Sequence, residues 1–311
     1  MMGVDSCFFH EPVLLAETIA ALRILPEGSY IDCTVGGGGH AEAILERLGP
    51  SGRLLGLDVD REAIAYAAAR LRRFGDALVL VQANFRDVAM VARQHGFDRV
   101  QGVLFDLGVS AHQLLTSYRG FSLQLDAPLD MRFSPEQELT AADLVNTLSE
   151  QELADLIYRF GEEPRSRRIA KAIVNRRPVT TTGQLAGIVA QAVGRARGRT
   201  HPATRTFQAL RIAVNQELDA LRSGLTQAVD LLLPAGRLVV ISFHSLEDRI
   251  VKDFVRTEAA GCICPPEVPV CACGHQARLK PLYRGVVKPS AAEVERNPRS
   301  RSARLRAAER L

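Results

Sequence analysis

Four consecutive glycines, Gly36 to Gly39, and then His40 separate a short apolar, β-branched run (Ser29 to Val35) from a helix-like stretch, Ala41 to Leu48. A backbone without Cβ atoms can take positive φ and lie close against a ligand. Strand, glycine turn and helix in that order therefore read as a nucleotide-binding α/β unit. The next apolar run, Arg53 to Asp58, ends in an acid. It falls roughly 20 residues past the glycines, where such folds set a carboxylate on ribose hydroxyls. A further acid, Asp106, closes the run Val100 to Asp106. Far downstream, Cys262, Cys264, Cys271 and Cys273 cluster with His275. Four thiols so close could bind zinc, but the one-residue gaps are not the usual knuckle spacing. The expectation is a reduced loop or a labile disulfide, with no metal. Cys7 and Cys33 have no evident partners.

A parallel sheet is needed to hold the acids and the glycine turn. Strands are predicted at Ser29 to Asp32, Arg53 to Asp58, Leu78 to Val81 and Val100 to Asp106, with helices between them and an opening helix from Pro12 to about Leu25. The strands are apolar throughout, which indicates a sheet covered on both faces. The alternation stops after Asp106. Helices and loops fill 114–215, including a capping box at Ser149 and Glu152 and a long helical pattern from Thr204 to Leu233, broken near Ser223-Gly224. Strand character returns over Gly236 to Ser242. A second capping box follows at Ser245 to Asp248, then two weaker strands at Leu282 to Val287 and Ser302 to Ala307. The simplest architecture is a discontinuous sheet domain, 1–113 with 216–311, and an inserted helical domain, 114–215. An insert after a strand's C-terminal end lies beside the ligand crevice, a position that suits a lid holding substrate.

With 311 residues, 47% of them hydrophobic, the chain can bury a large core. No stretch reaches the ~20 apolar residues of a membrane span, and no signal-like segment opens the chain, so a cytoplasmic protein with no membrane partner is expected. Six cysteines in a chain of this length do not make a disulfide scaffold. Net charge is only +4, but it is segregated. Between Glu163 and Glu217 there is no acid, while Arg165, Arg167, Arg168, Lys171, Arg176, Arg177, Arg195, Arg197, Arg199, Arg205 and Arg211 fall there. The tail adds Arg296, Arg299, Arg301, Arg304, Arg306 and Arg310. Segregation on this scale favours a polyanion partner over a merely solvated face.

Several longer motifs carry a family resemblance. They are His10-Glu11-Pro12-Val13-Leu14-Leu15, Gly38-Gly39-His40, Leu57-Asp58-Val59-Asp60, Asp106-Leu107-Gly108-Val109-Ser110 and Arg119-Gly120-Phe121-Ser122. Further on come Pro128-Leu129-Asp130-Met131-Arg132, His201 to Gln208, Ile241 to Arg249 and Asn297 to Ser302. In these motifs the chain resembles the bacterial 16S ribosomal RNA cytosine-N4 methyltransferase family (MraW, or RsmH), in order and over nearly its whole length. The resemblance implies a class I methyltransferase fold, S-adenosylmethionine as cofactor, and methyl transfer to the exocyclic N4 of a cytosine in the decoding region of the small subunit. It maps cofactor contacts onto Gly38, Gly39, His40, Asp58, Phe85, Asp106 and Gln113, and it gives the helical insert to RNA. The partner would be 16S ribosomal RNA or the small subunit. A homodimer is compatible with the sequence, which does not fix the oligomeric state.

Each residue has a chemical role beside a plainer one. Asp58 would accept from ribose hydroxyls; otherwise it caps the next helix, which Asp60 could do equally well. Gly38 and Gly39 would open backbone amides to the methionine part of the cofactor. His40 starts a helix, where exposed N–H groups favour a carboxylate. Phe85 would cover the adenine face or fill the core, and Gln113 would reach the cofactor or sit on a loop. Asp106 stands where amino methyltransferases often carry Asn/Asp-Pro-Pro-aromatic. Here the residues are Asp106-Leu107-Gly108-Val109, so the group that holds the target amine is open. Asp106 is the catalytic candidate, because acceptors on the N4 hydrogens would localise its delocalised lone pair. His244 could accept the proton or be structural. Asp130 and Arg132 could order the insert or touch RNA. Arg205, Phe207, Gln208 and Arg211 have helical spacing, with arginine suited to phosphate and Phe to base stacking. Two rivals stay open: a nicotinamide-dependent oxidoreductase, and an S-adenosylmethionine-binding ribosome assembly factor without turnover.

Overall fold

The structure is a computed structural model that describes residues 12–194, 201–265 and 270–311. Cys7, His10, Glu11, Arg195, Arg197 and Arg199 lie outside the described residues. The chain divides into two compact units, Val109–Glu217 and the remainder up to Gly108 together with Leu218–Leu311.

The larger unit is built on seven strands: β1 (Ser29–Asp32), β2 (Arg53–Asp58), β3 (Leu78–Gln82), β4 (Val100–Asp106), β5 (Leu232–Ser242), β6 (Leu279–Pro281) and β7 (Arg304–Arg310). Their order is β3-β2-β1-β4-β5-β7-β6. All run parallel except β7, which is antiparallel to both β5 and β6. This is a mostly parallel, Rossmann-like sheet. Central strands have side chains buried on both faces, such as Ile31, Leu55, Val103 and Val240 on one and Tyr30, Leu54, Leu104 and Val239 on the other. That is why they read as unbroken apolar runs. The order reverses between β1 and β4, and in open α/β sheets the ligand crevice lies outside the carboxyl ends of the strands at such a point.

The unit Val109–Glu217 is helical. Helices Ala141–Thr147, Glu150–Gly161, Ser166–Val174, Thr182–Val193 and Thr204–Asn215 enclose their own core, which includes Leu153, Ile157, Ile169, Leu185, Phe207 and Leu210. Ser149 caps Glu150–Gly161 through a capping box with Glu152, as its spacing predicts. Among the described residues no helix is long and apolar enough to cross a membrane.

Four local expectations are corrected. The opening helix is Leu15–Leu22, because Leu14 takes the left-handed conformation (φ 53°) and Arg23 ends the helix in the same way (φ 50°). The long helical pattern breaks at Gln216 (φ 50°), not at Ser223-Gly224. Gly224 lies inside helix Glu217–Leu231, where a Cβ would stand 3.0 Å from a Phe85 ring carbon and 3.2 Å from one of Phe105. That glycine marks a close approach between elements, not a helix end. The penultimate strand is Leu279–Pro281 rather than Leu282 to Val287, and Val287 makes only a single bridge to Leu305. The second capping box shifts by one residue: the cap is His244, paired with Glu247. Asp248 is instead held by Arg304 (2.8 Å) and Arg306 (2.7 Å) of β7. Two arginines of the apparently basic tail are therefore internal partners of one buried acid.

Candidate active site at the carboxyl edge of the sheet

Three strands around the crossover end in an aspartate: Asp32 on β1, Asp58 on β2 and Asp106 on β4. Asp58 accepts from the Gly36 N–H (2.9 Å) and the Asp60 N–H (2.9 Å), which ties the acid to the glycine turn. Asp60 caps helix Arg61–Arg70 by accepting from Glu62 N–H (3.0 Å), so capping is not the work of Asp58. Burial pushes the Asp58 carboxyl up to about 6, against the pull of those two N–H donors. Asp32 is only 1% exposed, and burial, aided by the nearby Asp58 charge, pushes it up to about 7 although Thr34 N–H donates to it (3.1 Å).

Asp106 is joined to the same cluster. Its backbone N–H donates to Thr34 Oγ1 (2.7 Å), its Oδ1 has no partner among the described residues, and its Oδ2 lies 3.5 Å from His40 Nδ1. Burial first, then Asp32 and Glu247, hold its carboxyl well above the usual range. The His40 ring is buried and its Nε2 donates to the Val13 carbonyl (3.0 Å). That bond fixes the proton on Nε2 and leaves the Nδ1 lone pair toward Asp106. Burial pushes His40 down to about 4, with the Val13 bond opposing. Burial thus disfavours charge on both the imidazole and the Asp106 carboxyl. The side chain of His40 belongs to this pair and is more than a helix-start residue.

The glycines serve the turn on its protein side. Gly38 sits at φ 79°, and a Cβ on Gly39 would lie 2.6 Å from Pro12 Cγ. Side chains are excluded there by the fold itself, and Gly38 is buried, its N–H donating to the Val35 carbonyl (2.7 Å) and its carbonyl accepting from the Glu42 N–H (2.8 Å). Phe85 follows β3, half-buried, with its ring edge-on to Phe105 at 5.5 Å and 86°. Gln113 lies in the other unit, buried, as the capping-box partner of Ser110 (3.0 and 3.2 Å).

Other expected roles are taken up by structure. His244 Nδ1 accepts from Glu247 N–H (3.3 Å), which places its proton on Nε2, 3.1 Å from Glu247 Oε1. The ring thereby caps helix Ser245–Glu258. Phe207 is a core residue at 6% exposure and cannot stack on a base. Arg211 forms a two-pronged ion pair with Glu217 (2.7 and 2.8 Å), and Gln208 donates to the Phe160 carbonyl (3.1 Å). Asp130 and Arg132 pair with each other (2.8 and 2.9 Å). Of the predicted RNA residues, Arg205 is exposed and donates to the Glu162 carbonyl (3.1 Å); other exposed cations of the acid-free window include Arg167, Arg168, Lys171 and Arg176, on and just after helix Ser166–Val174. Sequence reading missed Asp32 and Thr34. The available signal was positional, since Asp32 ends its strand as Asp58 and Asp106 end theirs.

The cluster fits one ligand chemistry. Among the described residues none of Asp32, Asp58 and Asp106 is paired with Lys or Arg, and one buried oxygen is unpartnered. Three acids held above their ordinary range suit a ligand that brings positive charge, as the sulfonium and ammonium of S-adenosylmethionine do.

Comparisons with known proteins agree. The model of the MraW methylase family matches residues 7–311. A curated relative from Thermomicrobium roseum is 57% identical over 305 residues, spanning 97% of this chain and 94% of its own. One from Dehalococcoides mccartyi is 56% identical over 302 residues, spanning 97% and 86%. One from Symbiobacterium thermophilum is 53% identical over 309 residues, spanning 98% and 97%. All three are named ribosomal RNA small subunit methyltransferase H.

Proposed function

Since the chain belongs to the MraW methylase family, we propose that it methylates small-subunit ribosomal RNA with S-adenosylmethionine, at the exocyclic N4 of a cytosine in the decoding region. Such a substrate puts its work in the cytoplasm. The observation that carries this reading is the trio of strand-end acids, unpaired with Lys or Arg among the described residues, together with the Asp106 oxygen that has no partner among them. When bound, S-adenosylmethionine supplies a methyl group on a sulfonium.

The residues that would hold it are Asp58 toward the ribose hydroxyls, the Gly38–Gly39 backbone and His40 at the turn, Phe85 toward the adenine, and Asp106; Gln113 completes the set that the family motifs imply. A bound cation favours the ionised form of neighbouring acids. Asp106 would then present a carboxylate whose Oδ1 accepts an N–H of the target amine, localises its lone pair and receives the proton that must leave. Fixing the amine in line with its electrophile supplies much of the remaining acceleration. The family loop Asp106-Leu107-Gly108-Val109 replaces the more common Pro-Pro-aromatic platform, so this carboxyl takes on more of the positioning.

For RNA, the exposed cations Arg167, Arg168, Lys171 and Arg176 offer phosphate contacts that Arg211, Gln208 and Phe207 cannot, because those three are occupied within the helical unit. The test is transfer of labelled methyl to small-subunit RNA, followed by nucleoside mass spectrometry. N4-methylated cytidine is the expected product. No transfer to either naked RNA or assembled subunits overturns the reading.

A further inference from the structure

The connection between helix Ser245–Glu258 and β6 carries all four downstream cysteines. Both of its ends are fastened by protein contacts alone. Arg278 N–H donates to the Glu258 carbonyl (2.7 Å), its guanidinium pairs with Glu258 (2.6 Å) and Asp230 (2.8 Å), and His275 Nε2 meets the Thr257 carbonyl (2.9 Å). Between these anchors the two Cys-X-Cys segments face each other. The sulfur of Cys262 lies 3.4 Å from that of Cys271 and 3.8 Å from that of Cys273, Cys271 and Cys273 are 3.5 Å apart, and all four sulfurs fall within 4.8 Å of one another.

Those separations have a chemical meaning. Four thiolates at about 2.3 Å from a zinc ion stand about 3.8 Å apart at the corners of a tetrahedron. We propose that Cys262, Cys264, Cys271 and Cys273 form a closed four-thiolate site for a structural zinc ion. A Cys-X-Cys segment by itself lacks the usual two-to-four-residue zinc spacing. Here each Cys-X-Cys segment contributes a pair, and the tetrahedron is made between segments. Backbone N–H groups support the sulfurs: Cys264 donates to Cys262 (3.4 Å), Ile263 to Cys273 (3.5 Å) and Ala272 to Cys264 (3.4 Å). Such donors stabilise thiolates as they do other anions. An all-sulfur donor set selects zinc over magnesium or calcium, which require oxygen ligands. With four protein ligands there is no position for water, so the ion would hold the loop and take no part in chemistry. The site also answers why Cys262, Cys271 and Cys273 are exposed, since unligated surface thiols are prone to oxidation.

The experiment is elemental analysis of the full chain purified in reductant without added metal, repeated after zinc loading and desalting, with cobalt(II) substitution as a spectroscopic probe. One zinc per chain and the visible bands of tetrahedral cobalt thiolate are expected. The Cys262→Ser/Cys271→Ser variant should lose both while keeping its circular dichroism and thermal transition close to the parent, because the cluster lies outside the sheet core. Iron in place of zinc, a disulfide in the intact mass of the freshly reduced protein, or no zinc retained after loading would each overturn the proposal.

Discussion

Replacing Asp32 by Asn should make the cofactor-free protein more stable and the cofactor-binding protein worse. Asp32 is 1% exposed and its carboxyl is pushed from 3.8 to about 7, chiefly by burial. Between those two pH values the folded chain keeps a proton that the unfolded chain has released. The contribution of this group to stability is therefore fully present below about pH 4 and falls as pH rises, with the loss complete above about 7. A difference of roughly 3 units at 1.36 kcal/mol each sets the cost of the ionised side chain at about 4 kcal/mol. Asn keeps an oxygen for the Thr34 N–H and never ionises. Asp32→Asn should exceed the parent in unfolding free energy by about 4 kcal/mol at pH 8, and by less than half of that at pH 5. Denaturant titration of both proteins at the two pH values measures the gap, and calorimetry at pH 8 should show weaker S-adenosylmethionine binding by the variant. A gap that is absent at pH 8, or the same at both pH values, would refute the assignment of Asp32 as an acid kept ready for a cation.

The same acids should couple ligand binding to protons. S-adenosylmethionine binding near pH 6.5 should release protons, because a bound cation lowers carboxyl values now at about 6 and about 7; calorimetry in two buffers of different ionisation heat reads this, and equal heats argue against it. Asp106→Ala removes an unpartnered buried oxygen, so the fold should persist while methyl transfer falls on the order of 10²-fold or more; near-normal turnover removes Asp106 from the chemistry. Arg167→Glu with Lys171→Glu should weaken RNA binding and reduce the log–log salt slope by about 0.7 per lost phosphate contact. Arg211→Glu should instead act on stability, through the stranded Glu217, and an unchanged slope in the first pair would move the RNA face elsewhere.

The parallel half of the sheet, β1 to β4, was legible because its signals are local. Apolar runs, a glycine turn and the acids that close β2 and β4 are all read within a few residues, and Asp58, Asp106 and Gly38–His40 stand where those signals put them. What failed was inference about exposure and partners. Arg205, Phe207 and Arg211 share a helical spacing, yet the spacing does not say that Phe207 enters a core or that Arg211 meets Glu217 six positions on. Arg304 and Arg306 read as a basic tail because their partner Asp248 lies some fifty positions upstream. Asp32 went unnoticed for a different reason: its importance lies in being the neighbour of two other acids, and only the strand order β2-β1-β4 makes it so.

That strand order also bears on how the chain is made. β1 to β4, with the acids and the turn, emerge from the ribosome early, while β7 is synthesised after β6 and must slip between it and β5. Until then β5 offers a bare hydrogen-bonding margin and the three-residue β6 has nothing to join, so a nascent chain halted short of β7 carries an intact crevice beside an open, association-prone flank. A pause in translation before β7 therefore leaves the sheet with an open edge and exposed to misassembly, although the strand-end acids and the glycine turn are already in place.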